Sequence, residues 1–125
     1  VFAILHALDG YDEISLTGPF KMITQEGEKL YHPQSLGLDT LSPESILGGA
    51  SIAESARIFE QVLRGEGSPG QNQVVIANAA AALVTSREDL GFEDAIALAQ
   101  ETLQSGKALR VFKGLIQPQT SVSFN

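Results

Sequence analysis

The pattern of apolar and polar residues changes character about a third of the way along this chain. Val1 to Leu5 is an unbroken apolar run, which predicts a strand buried on both faces of a sheet. Glu13 to Leu16 predicts a second short strand ending at Gly18-Pro19. Phe20 to Thr24 and Lys29 to Tyr31 flank Gln25-Glu26-Gly27-Glu28, and Gly27 can take the positive φ of a turn, so these runs predict a hairpin. Both runs are short and mixed in polarity, which places the hairpin at a sheet edge or on the surface.

The remainder carries helical punctuation. Ser42-Pro43-Glu44 opens a short helix with an N-cap, a Pro at the first helical position and an early acid; Gly48-Gly49 ends it. Ser51-Ile52-Ala53-Glu54 is a capping box. After it, Ile52, Ala56, Phe59 and Leu63 predict one apolar stripe, with Gly65 as C-cap. Ser68-Pro69 opens a third helix through VVIANAAAALVTS, apolar nearly all round and therefore expected to be the most buried. A fourth runs from about Phe92 to Gln104 with Phe92, Ile96, Ala99 and Leu103 on one face. Ser105-Gly106 breaks it, and a fifth begins near Lys107 with Ala108, Leu109, Phe112 and Ile116 facing inward. The residues after Pro118 read as a polar, frayed tail. No repeat, low-complexity tract or linker divides the chain, so residues 1–125 read as one unit. Strands followed by helices alone would suggest α+β; a doubly buried first strand points instead to α/β and the edge portion of a larger, mainly parallel sheet.

Composition narrows the function classes. With 43% hydrophobic and 18% charged residues the chain is an ordinary globular sequence rather than a disordered one. The formal charge of −7 and eight scattered basic residues argue against a nucleic-acid surface, which needs clustered Lys and Arg. There is no cysteine, which excludes disulfides and thiolate metal sites. The longest apolar tract, Val74 to Val84, is interrupted by Asn78 and too short to span a bilayer, and nothing resembles a signal peptide. A cytoplasmic protein is the expectation.

Candidate chemistry concentrates in LHALDGYDEISLTG, Leu5 to Gly18. Asp12 and Glu13 are adjacent, so on a regular strand they would face opposite ways, whereas in a loop both can address one cation. Carboxylates just beyond a buried strand lie where α/β proteins bind ligands, and their hard oxygens suit Mg²⁺ held against phosphate. The bland alternative is a pair of solvated loop acids beside a simple Asp9-Gly10 turn. His6, at the end of the apolar run, reads as a packed residue bonded to backbone, and His32 as a surface residue. Asn78 should spend its amide on a neighbouring loop, because an unpaired buried amide is costly. Gly48-Gly49-Ala50-Ser51 leads into a helix N-terminus that could bind an anion, but a helix–helix turn whose amides are capped by Ser51 is the preferred reading. No GxSxG, P-loop or GxGxxG sequence is present.

Taken together, several segments resemble the C-terminal part of the anthranilate phosphoribosyltransferase family. They are LHALDGYDEISLTGPFK at Leu5 to Lys21, LGL at Leu36 to Leu38, ILGG at Ile46 to Gly49, VLRGEGSP at Val62 to Pro69, VVIANAAAAL at Val74 to Leu83, and ETLQSGKAL at Glu101 to Leu109. They keep the family's order and approximate spacing up to Ile116. The resemblance implies an α/β fold: the C-terminal portion of a mixed, mainly parallel sheet with a β-hairpin followed by about five packed helices. It also implies transfer of phosphoribosyl from phosphoribosyl pyrophosphate to the amine of anthranilate, in tryptophan biosynthesis. Asp12 and Glu13 match the family's Asp-Glu pair and would hold Mg²⁺ against the pyrophosphate; no residue here is assigned a catalytic proton transfer.

Departures accompany the match. His6-Ala7 stands where the family has His-Gly, and Gly48-Gly49-Ala50 where many members have Gly-Gly-Asp. The family's GTGGD loop, its KHGN-type motif and the arginine that helps hold anthranilate are not in these 125 residues. The strand opening at residue 1, with no start methionine, reads as the tail of a longer protein whose N-terminal helical domain and substrate loops lie upstream. Such a fragment is expected to be inactive alone, and the full-length enzyme to be a homodimer. Two other readings stay open: a pyrimidine nucleoside phosphorylase-like fragment, which shares the architecture but uses phosphate as nucleophile, and a non-catalytic α/β module that self-associates through an exposed sheet edge.

Overall fold

The computed structural model describes residues 1–117, so the tail expected after Pro118 lies outside the described residues. Three strands, β1 (Ala3–Ala7), β2 (Phe20–Thr24) and β3 (Gly27–Tyr31), form a sheet in sequence order. β1 runs antiparallel to β2 from Ala3 opposite Thr24 to Ala7 opposite Phe20; β2 runs antiparallel to β3 from Phe20 opposite Tyr31 to Thr24 opposite Gly27. The hairpin is tighter than expected, because Gly27 at φ 123° already pairs with Thr24 and leaves only Gln25-Glu26 to turn the chain.

Four α-helices follow: α1 (Ile52–Leu63), α2 (Pro69–Ser86), α3 (Phe92–Gln104) and α4 (Lys107–Ile116). The first of the expected five is a 3₁₀ turn, Pro43–Ile46, which ends when Leu47 takes an extended ψ of 142°; another such turn spans Pro33–Leu36. The class is the α/β one expected, with a hairpin and then packed helices. No helix among the described residues is long and apolar enough to cross a membrane.

α2 organises the interior. Ala77 and Ala81 face the sheet side, in a cluster with Ile14, Leu16, Phe20 and Met22. Ile76 and Ala80 face the other way, into a cluster with Val62, Ala95, Ile96, Ala99 and Leu103. Small side chains on both faces let α2 approach the loop after β1 and α3 closely, and each methyl removed from water contributes roughly 0.8 kcal/mol. Ser68 caps the helix: its Oγ accepts the Gln71 N–H at 3.2 Å, and the Gln71 side chain accepts the Ser68 N–H at 3.0 Å. The face expected on α3 packs as expected, with Phe92 half-buried and Ile96, Ala99 and Leu103 buried.

Several expectations are corrected. β1 is buried on one face only: Ile4 and His6 are exposed while Ala3, Leu5 and Ala7 turn inward towards α2, and the described strand pairs are all antiparallel. Glu13 to Leu16 is irregular rather than a strand, since Leu16 adopts φ 59°, a left-handed backbone that breaks any pleat. On α1 the helix turns Ile58 and Val62 towards α2 and α3, leaving Ile52 and Phe59 exposed. Ile116 at the end of α4 is exposed, whereas Ala108, Leu109 and Phe112 are half-buried as expected.

Candidate functional site

The loop between β1 and β2 is built from short hydrogen-bonded closures. Leu8 N–H donates to the Pro19 carbonyl at 3.0 Å, which brings the two ends of the loop together. Inside it, Gly10 N–H donates to the Ala7 carbonyl at 3.0 Å, and Ala7 N–H donates to the Tyr11 carbonyl at 3.1 Å. Asp9 then closes the base: one carboxylate oxygen accepts from Thr17 Oγ1 and the other from Ser15 Oγ at 3.5 Å. The two hydroxyls lie 2.7 Å apart. Ser15 is buried, so its hydroxyl finds in Thr17 and Asp9 the partners that water cannot supply.

The chain between Tyr11 and Leu16 passes from solvent into the core. Ile14 and Leu16 are 1% and 0% exposed and pack into the cluster against α2. A buried Ile14 needs partners for its backbone groups, and Asn78 of α2 supplies both. Asn78 Oδ1 accepts the Ile14 N–H at 3.0 Å, and Nδ2 donates to the Ile14 carbonyl at 2.8 Å. Nδ2 also donates to the Val74 carbonyl one turn back, at 2.8 Å. The side-chain amide therefore pairs with the Ile14 backbone much as a neighbouring strand would. Leu16 is fixed in turn by its carbonyl, which accepts the Leu41 N–H at 2.8 Å.

Asp12 and Glu13 are the residues left at the exposed tip. They border an open hollow of about 680 Å³ whose walls include Tyr11, Ile46, Val74, Val75 and Ala79. The loop thus brings the two expected acids together on one side of a partly apolar cleft. Asp9, the loop's third acid, is committed to Thr17 and Ser15. Among the described residues no group of three or more His, Cys, Asp or Glu side chains converges. Two hard carboxylates beside open space suit Mg²⁺ that completes its octahedron with water and phosphate oxygens, and do not suit a closed structural zinc site.

The other candidates fall elsewhere. His6 is exposed rather than packed, because β1 turns that position away from α2. His32 is exposed, as expected, just before the 3₁₀ turn at Pro33. The turn before α1 has its amides taken by its own chain: Gly49 N–H donates to Ser55 Oγ at 3.0 Å, Ala50 N–H to Glu54 Oε2 at 2.8 Å, and Glu54 N–H to Ser51 Oγ at 3.1 Å. The cap holds, although Glu54 reaches Ala50 rather than Ser51. Gly49 is required for that closeness, since a β-carbon there would lie 2.6 Å from Ser55 N. The Asp9–Ser15–Thr17 trio was not anticipated; hydroxyls and a carboxylate at short spacing around a Gly turn are the signal that could have found it.

Comparison with known proteins identifies the family of the chain. The sequence model of the glycosyl transferase family, a/b domain, matches residues 2–109. An anthranilate phosphoribosyltransferase of Cytophaga hutchinsonii is 43% identical over 116 residues, 93% of this chain and 35% of its own length. One from Flavobacterium johnsoniae is 49% identical over 117 residues, 91% of this chain and 34% of its own. Among solved structures, anthranilate phosphoribosyltransferase from Thermus thermophilus superposes with a TM-score of 0.80 at 25% identity, over 90% of this chain and 33% of that one. The Saccharomyces cerevisiae enzyme, in complex with phosphoribosyl pyrophosphate (PRPP) and Mg, gives 0.77 at 25% identity, over 91% of this chain and 32% of that one. The chain spans about a third of the length of the curated relatives it matches.

Proposed function

The chain belongs to the glycosyl transferase family, a/b domain, and on that premise we propose that its Asp12–Glu13 loop is the Mg²⁺-holding part of an anthranilate phosphoribosyltransferase. One observation carries the reading. Two adjacent carboxylates stand exposed at the tip of a loop whose Asp9, Ser15 and Thr17 are committed to one another. The names of the relatives and the PRPP and Mg of the yeast complex supply the chemistry.

In this proposal Asp12 and Glu13 serve as charged anchors and transfer no proton. Mg²⁺ when bound supplies positive charge where negative charge grows on the departing pyrophosphate. The residues' own contribution is pre-placement: the loop's internal closures hold the backbone that carries the two carboxylates, so less ordering is left to be done on binding. The 125 residues contain no glycine-rich GTGGD loop, so transfer needs a surface beyond the one described, and the chain alone is proposed to bind without turning over.

Calorimetric titration of Mg²⁺ with PRPP into the chain tests this. Saturable heat that vanishes in Asp12→Asn/Glu13→Gln with the fold retained is expected. No saturable heat in the wild type, or equal heat in the double variant, overturns it.

A further inference from the structure

We propose that Asn78 is the positioning residue of the acidic loop, setting the direction of Asp12 and Glu13 from a helix 64 residues away. The inference rests on the Mg²⁺ reading above and adds to it a residue that touches neither metal nor substrate. Asn78 lies on α2, the most buried helix, where a polar side chain has little to recommend it unless it has a task. Its three hydrogen bonds, 3.0 Å from Ile14 N–H and 2.8 Å each to the Ile14 and Val74 carbonyls, use both amide hydrogens and the carbonyl oxygen.

The geometry limits what that task can be. Ile14 directly follows Glu13, so the two peptide groups that Asn78 grips are those on either side of Ile14, and the first of them joins Glu13 to Ile14. The bond to Val74 fixes the amide along the helix, and the two bonds to Ile14 then transmit that orientation to the loop. Asn78 and the acids also border the same hollow, so the grip acts at the wall of the site. On the loop's other side the Asp9–Thr17–Ser15 trio fixes the base. With both sides held, the tip keeps one geometry. Partners one step behind metal ligands commonly carry about ten- to a hundred-fold in metal affinity.

The test uses Mn²⁺ alone as a paramagnetic probe on the whole 125-residue chain. Amide line broadening reports where the ion sits, and its concentration dependence gives the affinity. Two variants cut the grip. Asn78→Ala removes it outright. Asn78→Thr removes both bonds to Ile14 but can return its hydroxyl to the Val74 carbonyl, as Thr85 does to Ala81 at 2.9 Å and Thr102 to Leu98 at 2.8 Å, so the helix stays satisfied. Ile96→Val, in the cluster on the far face of α2, is the control for general destabilisation.

The expected result is wild-type broadening centred on Asp12 and Glu13, Mn²⁺ binding weakened about tenfold in both Asn78 variants, and affinity unchanged in Ile96→Val. The Asn78 variants should add no further loss on the Asp12→Asn/Glu13→Gln background. A folded Asn78→Thr variant that binds Mn²⁺ as the wild type does overturns the positioning role while leaving the metal reading intact. Equal weakening in Ile96→Val also overturns it. Wild-type broadening that is absent from Asp12 and Glu13 sinks the metal reading, and this inference with it.

Discussion

Replacing Leu16 by glycine and by alanine sets a backbone cost against a side-chain cost. Leu16 is fully buried in the cluster with Ile14, Phe20 and Met22, yet holds φ at 59°. Truncating a buried leucine to alanine costs about 2–5 kcal/mol, and alanine keeps the left-handed backbone, which costs an L-residue roughly 1–2 kcal/mol. Glycine escapes that cost. Against this it loses one more methyl, roughly 0.8 kcal/mol, and adds chain entropy to the unfolded state, roughly 0.4–1 kcal/mol. The terms nearly cancel, so Leu16→Gly and Leu16→Ala should be equally stable to within about 0.8 kcal/mol. Leu103, buried in the regular helix α3, is the reference. Glycine there gains nothing from the backbone and should fall about 1.8 kcal/mol below alanine, from helix propensity plus the methyl. Urea unfolding of the four variants, compared at constant m, reads both differences. A gap between glycine and alanine at Leu16 as large as that at Leu103 refutes the backbone reasoning.

Phe20→Ala should cost about 3–5 kcal/mol in the same assay, because Phe20 is fully buried and packs 5.4 Å from the Tyr31 ring and 6.4 Å from Phe92. Gly49→Ala should lower the melting temperature, at a cost of about 1–3 kcal/mol, since the new β-carbon meets Ser55 N at 2.6 Å and that backbone belongs to the first turn of α1. Lys21→Ala should shift stability by less than about 1 kcal/mol, because the 3.3 Å pair with Glu28 is largely open to solvent and salt screens it.

What was legible in the sequence follows from the range of the forces involved. The faces of α2 and α3 were readable because one apolar stripe dominates α3 and small residues surround α2. On α1 two stripes compete, Ile52–Ala56–Phe59 and Ile58–Val62, and periodicity cannot say which one a neighbour will cover. An apolar run such as Val1 to Leu5 carries no record of which layers surround it, so it predicts double burial where the cluster against α2 takes one face of β1. Asp12 and Glu13 were found as a pair because adjacency is local. The Ile14–Asn78 pairing was half found: the cost of a buried amide announced a loop partner for Asn78, but its identity depends on how a helix 64 residues away docks. The left-handed Leu16 had no signal at all, since leucine is not a residue that advertises a positive φ.

The distance along the chain between Asn78 and Ile14 also orders events in time. Closing a loop of 64 residues costs chain entropy before any contact repays it. The helical hairpin of α2 and α3, by contrast, can pair across only the short connection from Arg87 to Gly91. The acidic loop should therefore set late, after α2 has docked on the sheet, and substitutions at Asn78 should speed unfolding far more than they slow folding. A ligand bound at Asp12 and Glu13 as proposed would then act as a kinetic lock: it would hold the last-formed contact, and so lengthen the lifetime of the native state without hastening its arrival.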